Sequence, residues 1–588
     1  MNRSAHLPPL ARSPRGAGPA SMTLAVLLVV LMAVFFLVPL ALAIGSGFFH
    51  DDRFSLYWFG RVVSNDVLVH GLCNSVLLAV CSTLACLAIA TPLAVIHSRC
   101  KFVGRGLLGV LVLVPMILPP FVGALAMRRL FSQFGIVNQL LAKIGVLDFA
   151  HSLPPDWLGS GFAGIVFLQA LHLFPILYLN ASAALANVDP TYAQAARNLG
   201  AGPLQTFWRI TLPLMRPGLF AGGTIVFIWA FTDVGTPLIM GYDALTPVTI
   251  FKELARADSG GRTFSLVFVM LAGSVTLYIL GKFFFGRSSG VESTKASIAT
   301  ETRKLGAIGT LGAWTAFGVV IAFAALPHVG VVLTALADGW VNTILPHRFT
   351  LKHLAFVIQH PATHNSLVNS VRYAGLSTAL DIVLGGLAAW LIVRSRVRGR
   401  HLLDGVLMLP LAVPGLILAA GYVALTAKNW TGGDWGAWLY DMRPTKNPFF
   451  LLVIAYAVRR VPFMVRGVCA GLEQVPTTLE EAARNLGSSR AGAFVRITLP
   501  LITANIIAAG VLTFAFAMLE VSDSLILAQT QEYYPITKQI YELATSTGSP
   551  ETGYQAAALG VYGMALLAGT MAVAGALLGK KLGAIFRA

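Results

Sequence analysis

The chain has 588 residues, of which 56% are hydrophobic and only 11% charged, and its mean hydropathy is +0.74. Soluble domains are about 25% charged, and no compact soluble shape hides this much apolar surface from water. The composition therefore argues against a soluble enzyme, a disordered scaffold and a secreted disulfide-bonded protein. The net charge of +17 is typical of nucleic-acid-binding proteins, or of membrane proteins whose basic residues lie in cytoplasmic loops.

Apolar stretches recur along the whole chain, and a helix of about 20 such residues crosses a bilayer. The sequence predicts an all-α integral membrane protein with about twelve transmembrane helices in two groups of six. The first stretch is too long for a signal-peptide core and is interpreted as a retained signal-anchor helix. The predicted spans are 22–46, 68–96, 106–127, 161–185, 218–241, 264–285, 306–336, 368–393, 402–426, 448–471, 503–529 and 556–579.

The two groups of six form a tandem repeat. Asn74 and Ser75 recur 295 residues later as Asn369 and Ser370, and the segment AARNLG at 195–200 recurs 287 residues later. Six helices in each half place both copies the same way up, which predicts a parallel repeat about an axis along the membrane normal. The predicted division is an N-terminal tail 1–21, a first six-helix half 22–285, a linker 286–305, a second six-helix half 306–579 and a C-terminal tail 580–588.

The positive charge is concentrated on one side of this topology. With an even number of spans, both termini share a side with the connectors that follow the even-numbered spans. These segments hold 24 Lys and Arg and 7 Asp and Glu, so they carry the entire surplus of +17. Basic loops stay in the cytoplasm. We therefore expect a multi-pass protein of the bacterial inner membrane with both termini cytoplasmic, and no nucleic-acid partner.

Two cytoplasmic segments, 188–213 and 475–500, preserve a motif through the 287-residue shift. A proline opens a helix in each, and Gly200 or Gly487 is suited to the left-handed conformation that ends it. A second short helix follows, and we expect Pro213 and Pro500 to end that helix before the next span. Loops between spans ordinarily drift in sequence, so preservation of both copies indicates a function.

The order of residues in these segments resembles the EAA loop of membrane subunits of binding-protein-dependent ABC importers. The pattern is E-A-A, three residues, G, nine residues, I, one residue, L-P. In that family the loop docks on a cytoplasmic ATPase. The residues that match are Glu481, Ala482, Ala483, Gly487, Ile497, Leu499 and Pro500 in the second half, and Ala195, Ala196, Gly200, Ile210, Leu212 and Pro213 in the first, where Gln194 replaces the Glu.

The resemblance implies a permease subunit of an ATP-driven importer, with both halves in one chain. Two copies of a separate ATPase and an extracytoplasmic solute-binding protein are the implied partners. The chain has no G-x-x-x-x-G-K-[ST] phosphate loop, so ATP is expected to be used by the partner. We expect no catalytic residues, no metal site and no cofactor in this chain.

The sequence identifies the class of transporter more narrowly than it identifies the transported substrate. The fused double permease most resembles the ferric-iron permease group. Permeases for 2-aminoethylphosphonate, sugar phosphates, thiamine and polyamines are similar enough to remain alternatives. An ion-driven secondary transporter with six plus six helices is an alternative of another class. It shares the number of spans but gives no reason for the repeated EAA segments.

Charged residues inside predicted spans are candidates for the translocation path. Arg459 and Arg460 lie near the middle of the tenth span, and His172 is the first-half equivalent of Arg459. They either form a cationic lining for an anionic solute or an anion-chelated metal, or lock helices together through ion pairs or snorkelling contacts. Asp233 and Glu520 are equivalent in the repeat, and they act either as a gate or partner for those arginines or as helix caps. Two other charged residues are interpreted as structural: Asp381 and Arg372.

Overall fold

The computed structural model describes most of the chain. The predicted N-terminal tail, the central linker and the C-terminal tail lie largely outside the described residues. The described ranges are 19–51, 53–149, 153–186, 188–255, 260–285, 303–395, 397–411, 413–427, 434–546, 548–549 and 551–578.

The predicted all-α membrane fold is confirmed. Within the described ranges, eight helices are long and apolar enough to cross a membrane, or up to ten if each of two bent pairs is one span. The two other predicted spans are also helical. One of them carries three arginines, and only the first part of the other, 261–277, is counted as an apolar helix. The twelve, called spans 1 to 12, are Ser21–Phe48, Asp66–Arg99, Arg105–Ile117 with Pro120–Lys143, Gly161–Ala186, Pro203–Thr232, Gly261–Phe285, Ala307–Ala335, Pro361–Arg394, Arg400–Leu411 with Gly415–Leu425, Phe449–Gln474, Arg490–Met518 and Thr552–Leu578.

Spans 3 and 9 are broken, whereas the sequence predicts one continuous helix for each. The two parts of span 3 meet at an angle of 92° and those of span 9 at 99°. Pro119 and Pro414 stand at the breaks in extended conformations, with ψ of 134° and 138°. Proline cannot donate the backbone hydrogen bond that would continue a helix, so each span turns at this point and a new helix starts.

Spans 5 and 11 end earlier than predicted. Their helices stop at Thr232 and Met518 instead of continuing to 241 and 529. Separate short helices, Gly235–Ile239 and Ser522–Leu527, follow each of them. Each of these two predicted spans therefore consists of a long helix and a separate short helix, although its apolar sequence is continuous.

The expectation that Pro213 and Pro500 end a separate short helix is wrong. The helix from Pro203 continues through Pro213 into span 5, and the helix from Arg490 continues through Pro500 into span 11. A five-residue π-helical segment ends two residues before each proline. This wider turn is compatible with a residue that lacks an N–H group, so the helix is not interrupted.

The connections between spans contain short elements. The described residues form two small two-stranded sheets, one pairing Phe49–His50 with Arg53–Phe54 and one pairing Cys100–Lys101 with Arg303–Lys304. The second sheet joins the connector after span 2 to the segment that leads into span 7. The further helices are Tyr57–Val63, Pro190–Asn198, Thr246–Ala255, Lys352–Gln359, Asp434–Asp441, Thr477–Asn485, Gln531–Tyr533 and Ile536–Thr545.

The first span of each half packs against the broken span of the other half. Span 1 meets the second part of span 9, where a side chain at Gly421 would overlap the backbone carbonyl of Pro39. The neighbouring Tyr422 hydroxyl donates to the Phe35 carbonyl at 2.7 Å. Span 7 meets span 3, where a Cβ at Gly330 would lie only 2.7 Å from the Cβ of Ala126. The two halves therefore interlock around a common centre.

Candidate functional site

A cavity of about 190 Å³ lies between the two halves. All five residues predicted for the translocation path line it, although they come from spans 4 and 10 and from the ends of spans 5 and 11. The lining residues are Met116, Pro120, Gln169, His172, Leu173, Trp229, Thr232 and Asp233 from the first half, and Gly415, Arg459, Arg460, Phe463, Phe516, Leu519, Glu520, Val521 and Ser522 from the second.

The breaks in spans 3 and 9 help to form this cavity. Pro120 and Gly415, which lie on the wall, are the first residues of the helices after each break. The Arg459 guanidinium lies directly against the backbone of Gly415. A Cβ at this position would overlap the guanidinium. Close approach of this kind is a common reason for glycine at a functional site. The broken helix and the arginine are therefore packed as one unit.

Both arginines are held in ion pairs with carboxylates of the second half. Arg459 Nη1 lies 2.6 Å from Glu520 Oε1 and 3.3 Å from Asp523 Oδ2. Arg460 Nη2 pairs with Glu520 Oε2 and also donates to the Phe516 carbonyl at 2.7 Å. The side chains of Arg460 and Glu520 are only 5% and 6% exposed. In this conformation the arginines are not a free cationic lining, and the geometry is that of the ion-pair interpretation.

The first half has a carboxylate at the same place but a different partner. Asp233 Oδ2 accepts a hydrogen bond from Gln169 Nε2 at 3.1 Å, and Gln169 in turn accepts one from the Ser82 hydroxyl at 2.8 Å. His172, which takes the place of Arg459, lies with Nδ1 3.1 Å from the Pro115 carbonyl. Since these partners are neutral amide, hydroxyl and carbonyl groups, the carboxylates of the two halves are held by different chemistry.

Asp233 and Glu520 also act as helix caps. Asp233 Oδ1 accepts from the backbone N–H of Thr236 at 3.3 Å, and Glu520 Oε1 accepts from that of Asp523 at 3.2 Å. Each residue therefore stands just before the short helix that follows its span, where a carboxylate satisfies a free N–H group. For Glu520, the capping and ion-pair interpretations both describe the geometry. For Asp233, the geometry is that of the cap.

The two EAA segments have the same backbone geometry. The first contains the helix Pro190–Asn198 and the second the helix Thr477–Asn485, as the prolines predict. Gly200 and Gly487 have φ of +84° and +90°. In both, the residue after the glycine donates its N–H to a carbonyl five residues earlier, at 2.9 and 3.0 Å. This is the glycine-ended helix terminus that the sequence predicts.

These segments expose large apolar side chains. Leu199 is 89% exposed and Leu486, its equivalent, is 90% exposed; Trp208 and Val495 are 60% and 56% exposed. Isolated apolar residues at a surface need no explanation, but equivalent pairs on two polar loops indicate a protein interaction. The docking role of these loops stays a prediction, and the exposed surface is compatible with it.

The motif residues differ in accessibility. Glu481 is exposed, and Gln194 is half-buried. The remaining motif residues fall into three groups: the exposed Ala195, Gly200, Ala482, Gly487 and Pro500, the half-buried Ile210, Leu212, Pro213, Ala483, Ile497 and Leu499, and the buried Ala196.

An ion pair that the sequence analysis missed fixes the second EAA segment to span 8. Arg394 Nε lies 3.2 Å from Glu480 Oε1, and the same oxygen accepts from the Thr498 hydroxyl at 2.7 Å. Arg394 also donates to the carbonyls of Leu472 and Val475, at 3.0 and 2.6 Å. We call Arg394, Glu480 and Thr498 the loop anchor.

The first half lacks the carboxylate of the loop anchor. Ala193 stands where the second half has Glu480, and Arg99 stands where it has Arg394. Arg99 Nη2 is buried and has no hydrogen-bond partner among the described residues. The repeat offset alone could have identified this difference, but the EAA pattern directs attention to Glu481, one residue later.

Comparison with known proteins gives the family. The profile described as "Binding-protein-dependent transport system inner membrane component" matches residues 87–290 and 381–583. The chain is 28% identical over 526 residues to a putative ferric transport system permease protein of Haemophilus influenzae, covering 86% of this chain and 78% of that protein.

Two further relatives differ in what their names say they transport. A ferric transport system permease protein of Actinobacillus pleuropneumoniae is 27% identical, covering 85% of this chain and 70% of that protein. A probable molybdenum ABC transporter permease protein of Haloferax volcanii is 33% identical, covering 39% of this chain and 77% of that protein. Since the family profile occurs twice and spans both predicted halves, the predicted relationship is confirmed: the chain belongs to the inner membrane components of binding-protein-dependent transport systems, and it is a fused, two-half permease subunit of an ABC importer.

Proposed function

We propose that this permease subunit moves ferric iron inward across the bacterial inner membrane. A solute-binding protein delivers the cargo to the outer face, and two ATPase subunits dock on the segments 188–213 and 475–500. Closure of the ATPases draws these segments together and switches the central cavity between outward and inward access. Both termini are cytoplasmic in this arrangement.

The observation that carries the choice of cargo is the carboxylate from each half on the cavity wall. Asp233 and Glu520 both line the cavity, and Asp523 lies behind Glu520 against Arg459. Carboxylate oxygens suit hard cations. Arg459 and Arg460 donate to the second-half carboxylates, Glu520 and Asp523, and Arg460 also donates to the Phe516 carbonyl. Because these ion pairs neutralise Arg459 and Arg460, the cavity in this conformation favours a cation over an anion. The ferric permease relatives support the same choice.

An oxyanion such as molybdate is the second candidate. Relatives named as molybdenum permeases match part of this chain, and Arg459 would bind an oxyanion if Glu520 and Asp523 released it. The two cargoes make opposite demands on the same residues, because iron requires the carboxylates and molybdate requires the guanidinium groups.

The test uses the complete transporter in proteoliposomes, with its ATPase and solute-binding protein. The binding protein is loaded with ferric iron or with molybdate, and the ATP-dependent uptake of each is measured. We expect iron uptake, and we expect Asp233→Asn to reduce it by tenfold or more. Asp243→Asn is the control, because it makes the same change at an exposed first-half carboxylate that does not line the cavity and is paired with Lys252. Uptake of molybdate without iron would contradict the proposed cargo.

A further inference from the structure

Asp381 is a buried carboxyl group that the cavity description does not use. It lies within span 8 and is 0% exposed. Neither of its carboxylate oxygens has a hydrogen-bond partner among the described residues. An isolated carboxylate in an apolar interior is costly. Whether charged or protonated, a buried carboxyl group that makes no hydrogen bond is destabilising, so any state of the protein that gives Asp381 a partner is favoured by that contact.

The surroundings of Asp381 are polar and are also incompletely bonded. Thr378 lies one helical turn earlier on the same face of span 8, and Thr513 lies on span 11. Their hydroxyls are buried and have no hydrogen-bond partner in the described part of the chain. The two spans touch at this level, since a Cβ at Gly510 would lie 3.9 Å from Thr378 Cγ2. Thr513 is one turn from Gly510.

Arg460 approaches Asp381 from span 10. Spans 8 and 10 run in parallel, and a Cβ at Gly385 would lie 2.7 Å from Met464 Cγ. One turn earlier on each span are Asp381 and Arg460, and the charge of Arg460 acts on Asp381. Within the described residues, no ion pair of 4.0 Å or less joins them, because Arg460 Nη2 is bound to Glu520. Its Nε has no hydrogen-bond partner within those residues.

The repeat shows that these residues belong together. At the positions of Asp381, Arg460 and Thr513, the first half has an apolar or weakly polar residue each time. Thr83, the counterpart of Thr378, is retained. If Asp381 only stabilised span 8, its absence from the first half would not need to be accompanied by the absence of an arginine on a different span. The first-half residues are Cys86, Leu173 and Val226.

We propose that Asp381 is a second partner for Arg460, which exchanges between Glu520 at the cavity wall and Asp381 behind it as the transporter changes its access state. Exchange to Asp381 releases Glu520 Oε2 toward the cavity and gives the buried carboxylate its missing ion pair. Thr378, one turn from Asp381 on span 8, supplies a hydroxyl donor near the receiving carboxylate, and Thr513 is a second unpaired hydroxyl on the facing span among the described residues. The exchange does not depend on the cargo; only the identity of the ion that then meets Glu520 rests on the proposed function.

The test measures the change of access state and does not require cargo. Ser522, on the cavity wall, is replaced by cysteine in a transporter whose native cysteines are replaced by alanine or serine. Its labelling by a membrane-impermeant maleimide is compared between the resting and the ATP-trapped complex. We expect trapping to change the labelling rate in the parent, and Asp381→Asn to reduce this change by about tenfold or more, since Arg460 then stays on Glu520.

A matched pair of variants separates exchange from simple packing. Thr378→Val removes a hydroxyl beside the receiving carboxylate, and Thr83→Val makes the same change in the first half, where no such pair exists. We expect Thr378→Val to slow switching several-fold and Thr83→Val to leave it unchanged. Parent-like switching in Asp381→Asn would overturn the proposal, and so would equal effects of the two threonine variants. If Asp381→Asn does not assemble, the threonine pair decides the outcome.

Discussion

Replacing Glu480 by alanine should uncouple the second EAA segment from span 8. Glu480 is the carboxylate of the loop anchor, and its Oε1 contacts both Arg394 Nε and the Thr498 hydroxyl. The substitution removes both contacts at once. Among the described residues, the hydrogen bond from Arg394 to the Val475 carbonyl would then be the remaining polar contact between the segment and span 8, so motion of the segment would be transmitted less completely to the membrane helices.

The magnitude follows from the burial of the ion pair and from what Arg394 retains. The side chains of Arg394 and Glu480 are 10% and 21% exposed, so solvent screens the ion pair only in part. Arg394 Nε lies within ion-pair distance of Glu480 but makes no hydrogen bond of good geometry among the described residues. The hydrogen bond that is lost is the one from the Thr498 hydroxyl to the charged Glu480, and a hydrogen bond to a charged group contributes about 1.5–3 kcal/mol. Arg394 keeps the carbonyls of Leu472 and Val475, so we expect the lower part of this range. At about 1.4 kcal/mol per factor of ten, the anchored state loses roughly 10- to 30-fold in population.

The assay is cargo uptake per ATP hydrolysed in proteoliposomes that contain the complete transporter. We expect Glu480→Ala to lower this ratio about tenfold while the complex still assembles, because the exposed docking residues are untouched. Glu473→Ala is the matched control, since Glu473 is an exposed carboxylate near the end of span 10, and we expect it to leave the ratio unchanged. A parent-like ratio in Glu480→Ala would refute the mechanical role of the loop anchor.

Three further substitutions test the geometry. Ala193→Glu supplies the missing first-half carboxylate near the incompletely bonded Arg99 and should raise the thermal unfolding midpoint of the complex; a lower midpoint would contradict this. Gly487→Ala should cost about 1–2 kcal/mol because its φ is +90° while the space around it is open; an unchanged midpoint would show that the backbone relaxes. Gly415→Ala should reduce uptake at least tenfold, because the methyl group would overlap the adjacent guanidinium. Gly405→Ala, in the first part of the same span with nothing within 4 Å, should not.

The sequence predicts the features that depend on local chemistry and on repetition. The EAA helices begin at or directly after their prolines and end two residues before Gly200 and Gly487, because a single residue type determines each boundary. The path residues were also predicted together, because a charge inside an apolar span is costly unless it faces a polar interior. The repeat offset showed that Asp233 and Glu520 are equivalent, and the structure places both on the same cavity wall.

Other features depend on distant parts of the chain and could not be predicted in this way. A proline in an apolar run can kink a helix or break it, and the choice at Pro414 depends on span 1 packing against the helix that follows. The early end of span 11 depends on Glu520 meeting Arg459 and Arg460 of span 10. Because the residues on both sides of this turn are apolar, the hydropathy of the sequence predicts one continuous helix.

The fusion of two halves into one polypeptide has a consequence for the symmetry of the transport path. A permease built from two copies of one half would present every cavity residue twice, so two copies of the second half would place four arginines around one centre. Two copies of the first half would place none. Here the halves are covalently joined in a fixed one-to-one ratio. The arginines of the second half can therefore serve a cavity in which the first half has none at the equivalent positions. The cavity can thus combine a second-half carboxylate that is paired with arginines and a first-half carboxylate that is hydrogen-bonded by neutral groups.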